Sequence, residues 1–159
     1  MIAQHLTPST VTWEDALLRV TLAAVLPFLI GLERYIRRKP IDFRPFVIIS
    51  VAACGLALSS IELAARSYDA QIRIDPTRIF EGVITGIGFL GAGAMFRQDN
   101  FVMGAGSASA IWAAGAIGLL CGLGFIWLAL LITIPILAIL IASAPFVARW
   151  DPQPDEPAE

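Results

Sequence analysis

Charge is what this chain has least of. Only 15% of its 159 residues are charged, whereas an ordinary soluble domain carries about a quarter. With the deficit come 57% hydrophobic residues and a mean hydropathy of +0.76, laid out in long charge-free runs rather than alternating patterns. A water-soluble enzyme core is thereby excluded, and the lipid bilayer becomes both the solvent and the first partner to consider. Basic residues are not in excess either: with a formal net charge of -2, no basic face is available to displace counterions from a phosphate backbone, which excludes nucleic acid.

Residues with catalytic or ligating chemistry are equally scarce. Histidine occurs once, as His5 near the N-terminus, and the two cysteines, Cys54 and Cys121, lie inside apolar runs without C-x-x-C or C…H spacing. They read as small buried hydrophobes rather than as a disulfide or a zinc site. No H-E-x-x-H or G-x-S-x-G occurs, and Ser107 and Ser109 have no base nearby in sequence. No catalytic residue, cofactor or metal ligand set is assigned, and no enzyme activity is expected. Residues 1–12 lack the basic cluster and cleavage site of a signal peptide, so the whole chain is read as mature.

What is present is a series of apolar spans, and the pattern predicts an all-α, polytopic membrane protein with five transmembrane helices. The spans fall at about 16–34, 46–65, 76–97, 102–121 and 125–147. Thr12-Trp-Glu-Asp15 resembles a capping box that starts the first, with Trp13 at the interface and Arg19 snorkelling outward from the helix end. Pro45 suits the first turn of the second, and Asp75-Pro76 starts the third, giving it roughly 32 Å of helix. Residues 100–148 contain no charge and as one helix would measure about 73 Å, so they must fold back, best at Gly122-Leu-Gly124. The fifth span is expected to kink at Pro135.

The loop after the first span carries Arg34, Arg37, Arg38, Lys39 and Arg44 against Asp42, which marks it as cytoplasmic. Five spans then put the N-terminus outside and the C-terminus inside, where residues 151–159 read as an acidic disordered tail.

Glycine is the dominant internal signal. Gly82, Gly86 and Gly93 project within about 40° of one another on a helical wheel, with Gly88 and Gly91 on the opposite side. Since helices in lipid associate through close backbone approach at small residues, the third helix is expected at the centre of the bundle, contacted on both sides. Ala110, Ala114, Gly118 and Gly122 form an i, i+4 ridge on the fourth span that suits a face of that central helix, and Trp112 fills space beside the glycines. Helix packing explains these glycines better than a broken helix exposing carbonyls to an ion. Gly86-x-Gly88-x-x-Gly91 matches the dinucleotide fingerprint but sits mid-span with no preceding strand, so that reading is rejected.

Ionisable groups at membrane depth are functional candidates. Glu33 and Arg34 end the first span, with Arg37 one turn beyond Glu33 in the favourable order for a salt bridge. Asp75, Arg78 and Glu81 follow one another at i, i+3 and could form an acid-base-acid ladder. N-capping by Asp75 with an Arg78–Glu81 pair accounts for them better than a cation site, because Arg78 would repel the ion.

Gly31-Leu-Glu-Arg34 with the basic loop to Arg44, Asp75-Pro-Thr-Arg78 leading into Thr85-Gly-Ile-Gly-Phe-Leu-Gly-Ala-Gly93, and Trp112 to Gly124 together resemble the membrane domain of the MgtC/SapB family, over about residues 17–140. The resemblance implies a non-enzymatic inner-membrane protein associated with growth under magnesium limitation and, in pathogens, with virulence inside host cells. It also implies interaction with another membrane protein, for which the F-type ATP synthase is the family-level candidate. The sequence departs from the family pattern at Pro27-Phe28, at Pro45-Phe46 and at Gly104-Ala-Gly-Ser107. Many relatives also carry a cytoplasmic ACT-like domain, where here only the acidic tail follows the last span. The alternative function is a small oligomeric carrier or channel for a divalent cation or proton, with Glu33, Asp75 and Glu81 marking its ends. An odd span count permits a homo-oligomer of parallel copies without requiring one.

Overall fold

The structure is a computed structural model and describes residues 7–39, 41–66, 75–98 and 101–147. Five helices account for most of them: α1 Trp13–Ile36, α2 Arg44–Arg66, α3 Pro76–Gly93, α4 Ala105–Leu123 and α5 Ile126–Val147. By length and composition α1, α2, α4 and α5 can each cross a membrane. The helix α3 has 18 residues, about 27 Å, and lies antiparallel beside α4, with Gly91 against Ala108 and Ile87 against Gly115. The all-α membrane fold expected from the sequence is therefore present.

The helix starts follow local chemistry. Thr12 accepts a hydrogen bond from the Asp15 backbone N–H at 3.2 Å, and the Asp75 carboxylate accepts one from the Thr77 N–H at 2.9 Å, each supplying an acceptor for an orphan first-turn donor. The fold-back falls where expected. Gly124 takes a left-handed conformation (φ 85°), and the N–H groups of Gly124 and Phe125 donate to the carbonyls of Cys121 and Leu120 at 3.0 and 2.9 Å, closing α4 in a Schellman turn. The last helix, α5, runs on through both Pro135 and Pro145.

Between α3 and α4 the expected boundaries are corrected. The third helix ends at Gly93 rather than 97, and the fourth starts at Ala105 rather than 102, because Phe96–Gln98 (β1) pairs antiparallel with Phe101–Met103 (β2) in a short hairpin. Gly91-Ala-Gly93 is a weak helix former at that end. Beyond it Gly104, at φ 87°, turns the chain so close to Ala94 that a Cβ would lie 2.3 Å from the Ala94 carbonyl oxygen. Hydrogen bonds that would have extended the helices go into the hairpin ladder instead.

The centre of the bundle is also corrected. It is α4 that packs against α1, α2, α3 and α5, while α3 touches only α4 and α2 to any extent. The buried ridge Ala110, Ala114, Gly118 and Gly122 turns towards α2 rather than α3: a Cβ on Gly118 would meet the Ser50 carbonyl oxygen at 2.2 Å, and one on Gly122 the Cys54 carbonyl oxygen at 2.5 Å. The inward face of α3 is Val83, Ile87 and Gly91, with the Ile87 tip filling the space at Gly115. Gly82, Gly86, Gly88 and Gly93 are exposed, and a Cβ at any of them would meet nothing within 4 Å. The reason is that a neighbouring side chain such as Ile87 needs a hole only where the helices meet, and a single isoleucine ridge suffices to seat α3. Trp112 lies on the same side of α4 as Ala108 and Gly115 and remains 46% exposed, so it does not serve as an interior filler.

Adding a methyl group therefore has opposite effects on the two helices. Gly118→Ala is expected to destabilise the purified protein by roughly 1–3 kcal/mol through backbone overpacking, whereas Gly86→Ala is expected to be neutral or to stabilise by up to about 1 kcal/mol through helix propensity. Unfolding in detergent followed by tryptophan fluorescence checks both.

Candidate functional site

The polar chemistry gathers at the two ends of the bundle. At the end shared by the C-termini of α1 and α5 and the N-terminus of α4, the loop after α1 folds back tightly because Gly31 lets Phe43 approach: a Cβ there would lie 2.7 Å from the Phe43 backbone. Phe43 also stacks edge-on against Phe28 and Tyr35. Under this cover Glu33 and Arg34 are buried, at 8% and 7% exposure.

One Glu33 carboxylate oxygen accepts from Arg34 Nε at 2.7 Å and the other from Arg37 Nε at 2.8 Å. The expected Glu33–Arg37 pair is thus formed, and Arg34 is recruited as a second partner. With both oxygens engaged, the carboxylate's charge is satisfied despite burial, and two guanidiniums against one carboxylate leave the triad with an excess positive charge. Arg37 also reaches α5, its Nη2 donating to the Ile141 carbonyl at 3.4 Å. That carbonyl lacks its helical partner because Pro145, four residues on, has no N–H to give. Arg38 then closes α1 in the left-handed region (φ 53°), a conformation usually left to glycine.

Arg19 governs the opposite end. Rather than snorkelling outward, it turns inward at 14% side-chain exposure, its Nη1 donating to the Gly122 carbonyl at 2.9 Å and its Nη2 to Asp15 at 2.6 Å. The unpaired carbonyls at the C-terminus of α4 are strong acceptors for a cation, and Gly124 leaves room for the guanidinium, 2.9 Å from where its Cβ would be. Glu62 on α2 is a second feature that local pattern does not reveal. Its carboxylate accepts from the Ser9 N–H and hydroxyl, from the Thr10 N–H at 2.9 Å and hydroxyl at 2.5 Å, and from the Val11 N–H at 3.2 Å. Arg66 adds an ion pair to Glu62 at 3.7 Å. The strap before α1 is clasped to the end of α2 by contacts more than 50 residues apart in sequence.

The Asp75, Arg78, Glu81 set does not form a ladder. Asp75 is exposed and accepts from the N–H and hydroxyl of Thr77 at 2.9 and 2.6 Å, bonds that hold its carboxyl below the ordinary carboxylate range. Among the described residues Arg78 and Glu81 form no ion pair with each other, and both are exposed. No group of three His, Cys, Asp or Glu side chains gathers among the described residues. A crevice of about 340 Å³ between α1 and α2, lined by Ala24, Val25, Phe28, Phe43, Val47 and Ile48 with Arg44 at its edge, offers no carboxylate to a cation. The site brings together Glu33, Arg34 and Arg37, and leaves Asp75, Arg78 and Glu81 apart from it.

The MgtC family model matches residues 20–149. An uncharacterized protein of Haemophilus influenzae is 42% identical over 136 residues, 83% of this chain and 56% of that protein. Protein SapB of Bacillus subtilis is 39% identical over 114 residues, 70% of this chain and 49% of its own length. Protein MgtC of Salmonella typhimurium is 36% identical over 121 residues, 76% of this chain and 49% of its own length. The chain spans about half the length of these curated relatives. No solved structure matches it.

Two variants probe the outlying clasps. Arg19→Gln is expected to cost about 1.5–3 kcal/mol, the range for a hydrogen bond to a charged group, read from chemical unfolding in detergent. Glu62→Gln is expected to release the strap, so that limited proteolysis around residues 7–12 becomes several-fold faster while the helical circular dichroism signal is retained.

Proposed function

Because the chain belongs to the MgtC family, we propose that it acts as a non-enzymatic, multi-pass protein of a bacterial inner membrane that modulates magnesium or membrane-energy homeostasis by binding another membrane protein. The observation that carries this reading is the uncovered face of α3. Gly82, Gly86 and Gly93 are open to close approach, and Phe89 on the same side of the helix is 80% exposed. In lipid, such a surface gains van der Waals contact only when another helix lies against it.

In this reading α3 is the recognition helix and the α2–α4 pair is the rigid support behind it. The basic loop around Arg37, Arg38 and Lys39 faces the cytoplasm, which leaves the N-terminus, one span before it, outside and with five spans puts the C-terminus inside. The F-type ATP synthase is the first partner to test, as the resemblance implies, and adaptation to low magnesium, with virulence in pathogens, is the setting it suggests. Carriage of a cation through this chain has less support: Glu33 is neutralised by two guanidiniums, and Asp75 and Glu81 are exposed.

The test is crosslinking in native membranes of magnesium-limited cells with the tagged full chain. Wild type is expected to capture a membrane protein absent from the untagged control, and Gly86→Phe, which fills the open face without touching the core, is expected to lose it at unchanged thermal stability. Saturable magnesium or proton flux into liposomes holding the purified protein, lost in Glu33→Gln, would instead assign a carrier.

A further inference from the structure

Arg34 has more donors than its neighbours use. Its side chain is 8% exposed, and Nε is committed to Glu33. Among the described residues Nη1 and Nη2 donate to no acceptor, and Nη1 lies against the first turn of α4, 3.1 Å from where a Cβ on Gly106 would be. Among the described residues the buried guanidinium nitrogen without a partner is Arg19 Nε, not one of Arg34, so the Arg34 fork is open to an acceptor that arrives from outside the chain.

That first turn of α4 is itself uncapped. Gly104 is the N-cap and provides no side-chain acceptor. The Ala108 N–H is taken by the Gly104 carbonyl at 2.8 Å, which leaves the N–H groups of Ala105, Gly106 and Ser107 uncommitted among the described residues. They sit at the positive end of a 19-residue helix, where an anion is favoured. Ala105 and Gly106 are exposed, so the site is open on one side, while Ser107 beside them is buried at 3%. Among the described residues the carboxylate in contact with Arg34 is that of Glu33, and both of its oxygens already accept from guanidinium nitrogens.

We propose that Arg34 and the uncapped first turn of α4 form a binding site for a phosphate-type oxyanion, either the headgroup phosphate of a membrane lipid or free phosphate. Paired oxygens of a tetrahedral oxyanion match the terminal fork of an arginine, and the remaining oxygens suit backbone donors at a helix start. The site lies at the basic end of the bundle, where Arg37, Arg38 and Lys39 raise the local anion concentration. It stands on different residues from the α3 face, so either can fail without the other.

The test uses the full chain in a neutral maltoside detergent, with thermal unfolding followed by tryptophan fluorescence. In one arm sodium phosphate is titrated against sodium chloride at constant ionic strength. In the other, short-chain phosphatidylglycerol is titrated against an uncharged diacylglycerol of equal chain length. A saturable rise in Tm in the phosphate arm supports a free oxyanion, and a rise in the lipid arm alone supports a headgroup. Arg34→Lys, which keeps the charge and loses the fork, should weaken the apparent affinity tenfold or more. Gly106→Asp sets a carboxylate against Nη1; it should hold or raise the starting Tm, as a tethered anion would, and abolish the response. No rise above the controls in either arm overturns the proposal, as does an undiminished response in Gly106→Asp.

Discussion

The contact between the backbones of α2 and α4 is the constraint on which the rest of the bundle depends. Within lipid there is no hydrophobic gain from bringing two apolar helices together, so association relies on close packing and on satisfied polar groups. Gly118 and Gly122 remove the side chains that would hold α4 away from Ser50 and Cys54, and the resulting pair forms a rigid centre. Around it α1 and α5 lay their apolar faces, and α3 attaches through the Val83, Ile87, Gly91 ridge.

Polar groups at the two ends do a different job from the small residues in the middle. Each frees or satisfies a backbone group that helix geometry leaves over: Arg19 takes the Gly122 carbonyl at the end of α4, and Arg37 takes the Ile141 carbonyl released by Pro145. Glu62 gathers the N–H groups of the strap before α1. These bonds join elements distant in sequence, so they fasten the ends of helices whose middles are held only by packing. Because the ends are fixed, the α3 face stays uncovered without loosening the core.

The difference between the two glycine sets is instructive for function. On α4 glycine is there because a neighbouring backbone occupies the space, and substitution would force the helices apart. On α3 most glycines face nothing within the chain, so their smallness has no use in this fold alone. That asymmetry separates the helix whose small residues build the structure from the one whose small residues stay open.

The five helices, the starts of α1 and α3 and the fold-back were determined by the sequence, because each rests on interactions a few residues apart: the Thr12 and Asp75 caps, the turn at Gly124 and the length of apolar runs against the bilayer. The Glu33–Arg37 pair was legible for the same reason, being one helical turn apart. What only the tertiary structure decided is which small-residue face meets which neighbour. Periodicity marks a face as small but says nothing of what opposes it, so α3 was expected at the centre that α4 occupies. The hairpin between them, the inward turn of Arg19 and the clasp on Glu62 were likewise invisible, since their donors and acceptors come from segments far apart in the chain and meet only once the bundle has closed.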